Sequence, residues 1–398
     1  MYGIFNPREF SIIERPSREH ALAALDVLKE LLTEFSFAGP DDLAAALCAL
    51  LTATIRPSLN LAPMFHVRAH MVGSGKTYLC ELITAFATPL RSNPAAFPDN
   101  DEECRKLLLA ELLRSPAVIE FDNLTTDLLA YKSLCSAITS EFKTDRILGV
   151  SKTATVNTRA LFLSSGNNVG PVEDMTRRCI TIHLSPQCEI PAARTFQRPN
   201  LVHEVYAERA KYVSAALTII LAWLTAGKPK TDCPNLASFG QWTDWCRQPL
   251  LWLGCADPAT SVFKAIAEDP NRETLARLLH VWFTLFGKTP VMVRRACLEA
   301  SLPGEENDEL NEILRDIAEE KGDINRRRLG NWLRRHAGRI VDGMRFIKAE
   351  VKLSAEAWQI NVCESVTSVK SVSLASNEKS VGHCESYRNA YAAASRGE

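Results

Sequence analysis

No Cys-x-x-Cys pair occurs in this sequence, although it holds twelve cysteines in 398 residues. They stand singly inside apolar segments, as at Cys48, Cys80, Cys104, Cys135 and Cys179. Structural zinc needs closely spaced Cys and His ligand pairs, and the eight histidines do not supply that spacing either. The scatter speaks against a zinc site and a disulfide framework, and for buried reduced thiols in a cytoplasmic protein. A basic start followed by an apolar core is also missing: the chain opens Met1-Tyr2-Gly3-Ile4-Phe5-Asn6-Pro7-Arg8-Glu9, so no secretory signal is expected. Nor does any apolar run reach the roughly 20 residues of a bilayer span. The longest, 213–226, includes Ser214, Thr218 and Thr225 between Lys211 and Lys228, and predicts a core helix with no membrane partner. A net charge of −1 has no dominant sign, so local clusters carry the information. With 46% hydrophobic and 23% charged residues the chain can bury a large core, and its length suits roughly two to three domains.

Apolar residues recur at helical spacing over 18–35 and 40–55, with Gly39-Pro40-Asp41-Asp42 as stop and restart. These predict a small N-terminal helical collar over 1–57. A short apolar segment, 64–69, then leads into a glycine loop, and 76–87 follows with helical periodicity. Further strands are predicted at 117–122, 160–165 and 179–184, separated by helical stretches. The fold class that follows is α/β, a mainly parallel sheet with helices on both faces, over 58–200. From 201 to 303 the pattern reads as helical throughout. Over 304–362 two amphipathic helices and then short alternating segments suit a C-terminal winged helix. Beyond that, 363–398 turns to Ser, Val, Lys, Glu and Asn without sustained periodicity, the composition of a disordered tail.

The chemistry starts at Gly73-Ser74-Gly75-Lys76-Thr77. In such a loop backbone N–H groups curl around phosphates, Lys76 reaches the β- and γ-phosphates, and Thr77 offers a hydroxyl to Mg²⁺. ATP with Mg²⁺ is the expected ligand. The usual pattern opens with a glycine where this chain has His70. Asp122, at the tip of a buried strand, is the expected metal-side carboxylate. The next position, often a glutamate that orients water, is Asn123; Glu120 shares the parity of Asp122 and is either a substitute or a hydrogen-bonded strand residue. After the third strand, Asn167 or Asn168 could bond the γ-phosphate or attacking water, or the pair is an ordinary turn. Arg177 and Arg178 precede the last strand, either as trans-acting arginines of an oligomer or as a salt-bridged end.

Two stretches point to nucleic acid. Residues 145–156 alternate like a hairpin, with Arg146 and Lys152 placed to track a backbone. More specific is 326–339, which holds Arg326, Arg327, Arg328, Arg334, Arg335 and Arg339 and no acid. On a helix, Leu329, Trp332, Leu333 and Ala337 would form its buried face and leave the arginines outward. Arg345 and Lys348 add charge near the expected wing.

Taken in order, Gly-Ser-Gly-Lys-Thr, Val118-Ile119-Glu120-Phe121-Asp122-Asn123, Asp145-Arg146-Ile147-Leu148-Gly149-Val150-Ser151, Ser165-Gly166-Asn167-Asn168 and Asp174-Met175-Thr176-Arg177-Arg178 resemble the helicase part of phage, plasmid and integrated-element primase-helicases. That group is an AAA+-like P-loop NTPase family close to superfamily III helicases. The resemblance implies a homo-oligomeric ring, commonly a hexamer, translocating on single-stranded DNA with ATP between subunits. It implies phosphate and metal roles for Lys76, Thr77 and Asp122, a sensor role for Asn167 or Asn168, and a finger in trans for Arg177 or Arg178. Priming is not implied, because only a short stretch precedes the collar; a separate primase would be the partner. The alternative expectation is an ATP-binding, DNA-binding replication initiator that hydrolyses little, kept open by Asn123.

Overall fold

The computed structural model describes residues 10–149, 151–268, 270–349 and 356–363. The tail from 364 onward and Val150 of the expected hairpin lie outside the described residues. Two compact units divide at Thr274 and Leu275.

In the first unit the strands are β1 (Met64–Ala69), β2 (Val118–Leu124), β3 (Phe142–Arg146), β4 (Thr153–Asn157), β5 (Leu161–Asn167) and β6 (Cys179–Leu184). The architecture is mixed α/β: β2-β5-β1-β6 form one parallel four-stranded sheet, and β3-β4 a separate antiparallel hairpin. Parallel strands buried on both faces read as continuous apolar runs. Phe65, Val67, Leu161, Leu163, Ile180 and Ile182 supply them, all buried. Among the apolar residues stand a few buried polar ones, His66 on β1, Glu120 on β2 and Thr181 on β6, and Ser164, Ser165 and Asn167 close the end of β5.

Helices of this unit are α1 (Arg18–Leu32), α2 (Pro40–Ile55), α3 (Lys76–Ala87), α4 (Asp101–Leu113), α5 (Lys132–Thr139), α6 (Leu201–Ala207), α7 (Arg209–Thr225), α8 (Gly240–Trp242), α9 (Gln248–Trp252) and α10 (Thr260–Ala267). Ser17 caps α1 reciprocally with His20, and Leu25, Leu28, Leu31 and Leu32 turn inward, where α1 packs against α7. Trp242, fully buried, donates from Nε1 to Thr52 Oγ1 at 2.8 Å and so joins the segment after α7 to α2. A helical stretch is expected between β5 and β6, but only the short turn Glu173–Met175 stands there. Gly170 and Pro171 account for it, since neither favours a helix interior.

The boundary falls within α11 (Pro270–Phe286). The second unit then holds β7 (Val291–Met292), α12 (Val293–Glu299), α13 (Glu305–Ala318), β8 (Glu319–Glu320), β9 (Asp323–Ile324), α14 (Arg326–His336), β10 (Met344–Lys348) and β11 (Ala357–Val362). Antiparallel pairing orders β10-β11-β7 around a core of Trp282, Leu310, Ile313, Leu314, Leu329, Leu333, Phe346 and Trp358. The strand β7 interrupts the stretch expected to be helical throughout. Gly287, at φ +56°, and Pro290 end α11, and Val291 and Met292 pair with Trp358 and Ala357. Ala337 also departs from expectation: it is exposed, because α14 stops at His336 and Gly338, at φ +81°, turns the chain toward β10.

His66, buried on β1, spans the sheet: its Nε2–H donates to the Val169 carbonyl at 3.0 Å and its Nδ1 accepts from Ser164 at 2.9 Å. Burial pushes its pKa down to about 4, so folding binds the neutral ring. Its contribution to stability is complete above the unfolded value near 6.5 and is lost as pH falls from there through 4, about 3 kcal/mol in all. Urea unfolding of wild type and His66→Gln between pH 7 and 4 should give converging stabilities. Parallel curves would refute this role.

Candidate functional site

The loop between β1 and α3 is shaped by two glycines, Gly73 at φ +75° and Gly75 at φ +89°. A Cβ on Gly73 would stand 2.8 Å from Ala192 Cβ, so the close approach of that backbone also requires glycine. His70, in the place of the pattern's first glycine, has a partner. Its Nδ1–H donates to Asn168 Oδ1 at 2.8 Å, while Asn168 Nδ2 returns a bond to the His70 carbonyl at 3.3 Å. Asn168 adopts φ +53°, which asparagine tolerates, and its N–H bonds the Ala69 carbonyl at 3.1 Å. The two asparagines thus divide: Asn168 staples the start of the loop, and Asn167 accepts from Lys76 Nζ at 2.6 Å.

Lys76 is nearly buried, and desolvation lowers its pKa against the opposing pull of Asp122. Thr77 Oγ1 donates to Asp122 Oδ1 at 3.1 Å, and Ser165 donates to the same oxygen. Asp122 sits at an irregularity in the β2-β5 pairing, between Phe121 and Leu124. There Asn123 takes φ +55°, with its N–H 3.4 Å from Ser165 Oγ. Glu120 is buried and accepts from Ser92; burial raises its pKa to about 7. The structure therefore gathers Gly73, Ser74, Gly75, Lys76, Thr77, Asp122 and Asn167 at one end of the sheet.

Arg177 and Arg178 share one carboxylate but differ in access. Arg177 Nε bonds Asp174 Oδ1 at 2.5 Å, and Arg178 Nη1 bonds Asp174 Oδ2 at 2.5 Å and the Asp174 carbonyl at 2.7 Å. The Arg177 side chain is 44% exposed and that of Arg178 only 9%, so only Arg177 presents its charge outward. Burial acts to raise the Asp174 pKa, yet the two arginine hydrogen bonds hold it below the ordinary value.

Arg146 and Lys152 are exposed beside the tip of the β3-β4 hairpin, where Leu148 also stands in solvent. They line a groove of about 650 Å³ between the hairpin and α4, to which Arg105 and Lys106 add charge. Arg105 pairs with Asp145, and Lys106 with Glu102 and Glu103. On α14, Arg326, Arg327, Arg328, Arg334 and Arg335 are exposed, as is Arg339 beyond it. Arg328 donates to the Glu319 carbonyl at 3.1 Å, and Arg334 lies 3.4 Å from Glu356. The acid that sequence spacing leaves out of 326–339 thus arrives from elsewhere in the same unit. Sequence reasoning also missed Ser165, whose alternation with Asn167 on β5 places both on one face, and Asp174, three and four residues before the arginines it binds.

No protein-family model matches this chain, and no curated protein matches it. Among solved structures it is similar to the apo A form of the NrS-1 C-terminal region, at 12% identity and a TM-score of 0.43 over 91% of this chain and 80% of that one. A second structure of that region gives 12% and 0.41 over 90% and 78%. JCV helicase with a bound phenoxyphenyl acetamide gives 11% and 0.26 over 66% and 71%. At identities and scores this low, function is read from the chain's own residues.

Proposed function

We propose that this protein is an ATP-dependent DNA helicase or translocase serving replication of a phage or other mobile element, working in the cytoplasm as a homo-oligomeric ring, commonly a hexamer. On this reading 58–200 is an AAA+-like P-loop NTPase, 1–57 its collar, 201–303 a helical domain, and 304–362 a winged-helix DNA-binding module. One observation carries it: Lys76 lies 2.6 Å from Asn167, and Thr77 lies 3.1 Å from Asp122, at the mouth of a glycine loop. Lys76 binds the β- and γ-phosphates. The Thr77 hydroxyl and Asp122 carboxylate are hard oxygen donors with a single acid between them, the set that suits Mg²⁺ shared with phosphates and water. With the triphosphate bound, magnesium there supplies neutralisation of phosphate charge. Asn167 orients the γ-phosphate or a water, and Arg177 reaches the neighbouring subunit's site. Arg146 and Lys152 follow single-stranded DNA, and the α14 arginines bind its phosphates; a separate primase is a further partner.

A second reading, an ATP-binding, DNA-binding initiator with little hydrolysis, is favoured by Asn123. The other acid on β2, Glu120, is buried and held by Ser92, so neither residue offers a free carboxylate to a water.

Steady-state ATPase with and without single-stranded DNA separates the two. Stimulated turnover that Lys76→Ala lowers by ~100-fold or more is expected; nucleotide binding without stimulation would give the initiator instead. Arg177→Ala should cut turnover by roughly 10³-fold with an unchanged melting temperature. Arg178→Ala should destabilise the fold by about 1–3 kcal/mol, through the lost Asp174 contact. Full activity in Arg177→Ala would end the finger assignment. For α14, the triple change of Arg326, Arg327 and Arg335 to Gln should flatten the salt dependence of DNA affinity, by a slope of about 0.7–0.9 per lost phosphate contact. An unaltered slope would remove this helix from the DNA surface.

A further inference from the structure

We infer that the cavity beside Gly73, Ser74 and Gly75 seats the base of a nucleoside triphosphate by stacking alone, so that adenine and guanine nucleotides are both accepted. This rests on the reading of the loop as a triphosphate site and names its substrate class. The cavity encloses about 210 Å³. That is below the roughly 300–1,000 Å³ of pockets that swallow a drug-sized ligand, so it takes one part of a nucleotide and leaves the phosphates on the loop. Its aromatic walls come from three places: Phe35 just past α1, Tyr78 in the first turn of α3, and Phe196 in the link from β6 to α6. The Phe35 and Tyr78 rings are inclined by 30° with centroids 6.2 Å apart, and the Arg194 guanidinium lies 5.2 Å over Phe196. Flat π surfaces of this kind hold any base by its face.

Reading a base by its edge would need donors and acceptors held for it, and here they are engaged within the chain. Among the described residues lining the cavity, Glu34 alone is acidic, and its two oxygens accept the N–H groups of Gln197 at 2.6 Å and Arg198 at 3.0 Å. The Tyr78 hydroxyl accepts from the Val202 N–H at 3.0 Å, and the Arg198 guanidinium binds Glu204. Arg194 gives one N–H to the Glu34 carbonyl at 2.9 Å.

Competition binding on the full chain, with Mg²⁺ present, tests this with ATP, GTP, UTP and inorganic tripolyphosphate as probes. ATP and GTP should bind within about tenfold of each other and UTP more weakly. Phe196→Ala, an exposed position, should weaken both purines by about ten- to a hundredfold and leave tripolyphosphate unchanged, while Phe35→Trp keeps purine affinity. ATP favoured over GTP by more than about a hundredfold would overturn the inference, as would purine affinity untouched in both Phe196→Ala and Phe35→Ala. Lys76→Ala should lose tripolyphosphate as well as nucleotides. A wild-type chain that binds neither would overturn the loop reading together with this one, an outcome distinct from failure at the aromatic residues alone.

Discussion

The pairing of β1 with β5, in which Ala69 stands opposite Asn167, is the constraint on which the candidate site depends. Because strand side chains alternate, a slip of one residue would carry Ser165 and Asn167 to the other face together. Asp122 would lose one hydroxyl and Lys76 its amide. The register is held by burial: Leu161 and Leu163 on β5, and Phe65 and Val67 on β1, are all fully enclosed. His66 adds a polar lock across the same two strands through Ser164. Apolar packing in the middle of the sheet thereby fixes polar geometry at its end.

Much of this was legible in the chain itself. Continuous apolar runs marked the four parallel strands, and the glycine loop announced its own place between strand and helix. What stayed hidden was set by contacts distant in sequence. The neighbours Asn167 and Asn168 are chemically alike, and only their folded partners, Lys76 and His70, tell them apart. Likewise no spacing rule separates Arg177 from Arg178, since both reach Asp174 and burial alone distinguishes them. The aromatic cavity draws on Phe35, Tyr78 and Phe196, too far apart along the chain for any local pattern. Ala337 departs for the opposite, local reason: α14 ends at His336, one residue before it, and Gly338 turns the chain directly after it.

Charge in the second unit is less free than the arginine count implies. Arg334 approaches Glu356, and Arg328 is tied to a backbone carbonyl, so part of the field of α14 is cancelled or fixed before any ligand arrives. Exposed ion pairs of this kind contribute little to stability and are screened by salt, so they compete only weakly with phosphate. The hairpin groove follows the same rule, with Arg105 and Lys106 paired while Arg146 and Lys152 face solvent.

The double hydrogen bond between His70 and Asn168 has a further consequence. Glycine-rich loops are entropically costly to order, and that cost usually falls on the binding step. Here the loop is clamped to the end of β5 at its first residue, and Ser74 bonds Met71 across its turn at 2.5 Å. Its conformational freedom is lost when the sheet forms. On the proposed reading of the loop as a phosphate site, the cradle is thus already in shape before the ligand binds, and no backbone rearrangement at its first turn is required.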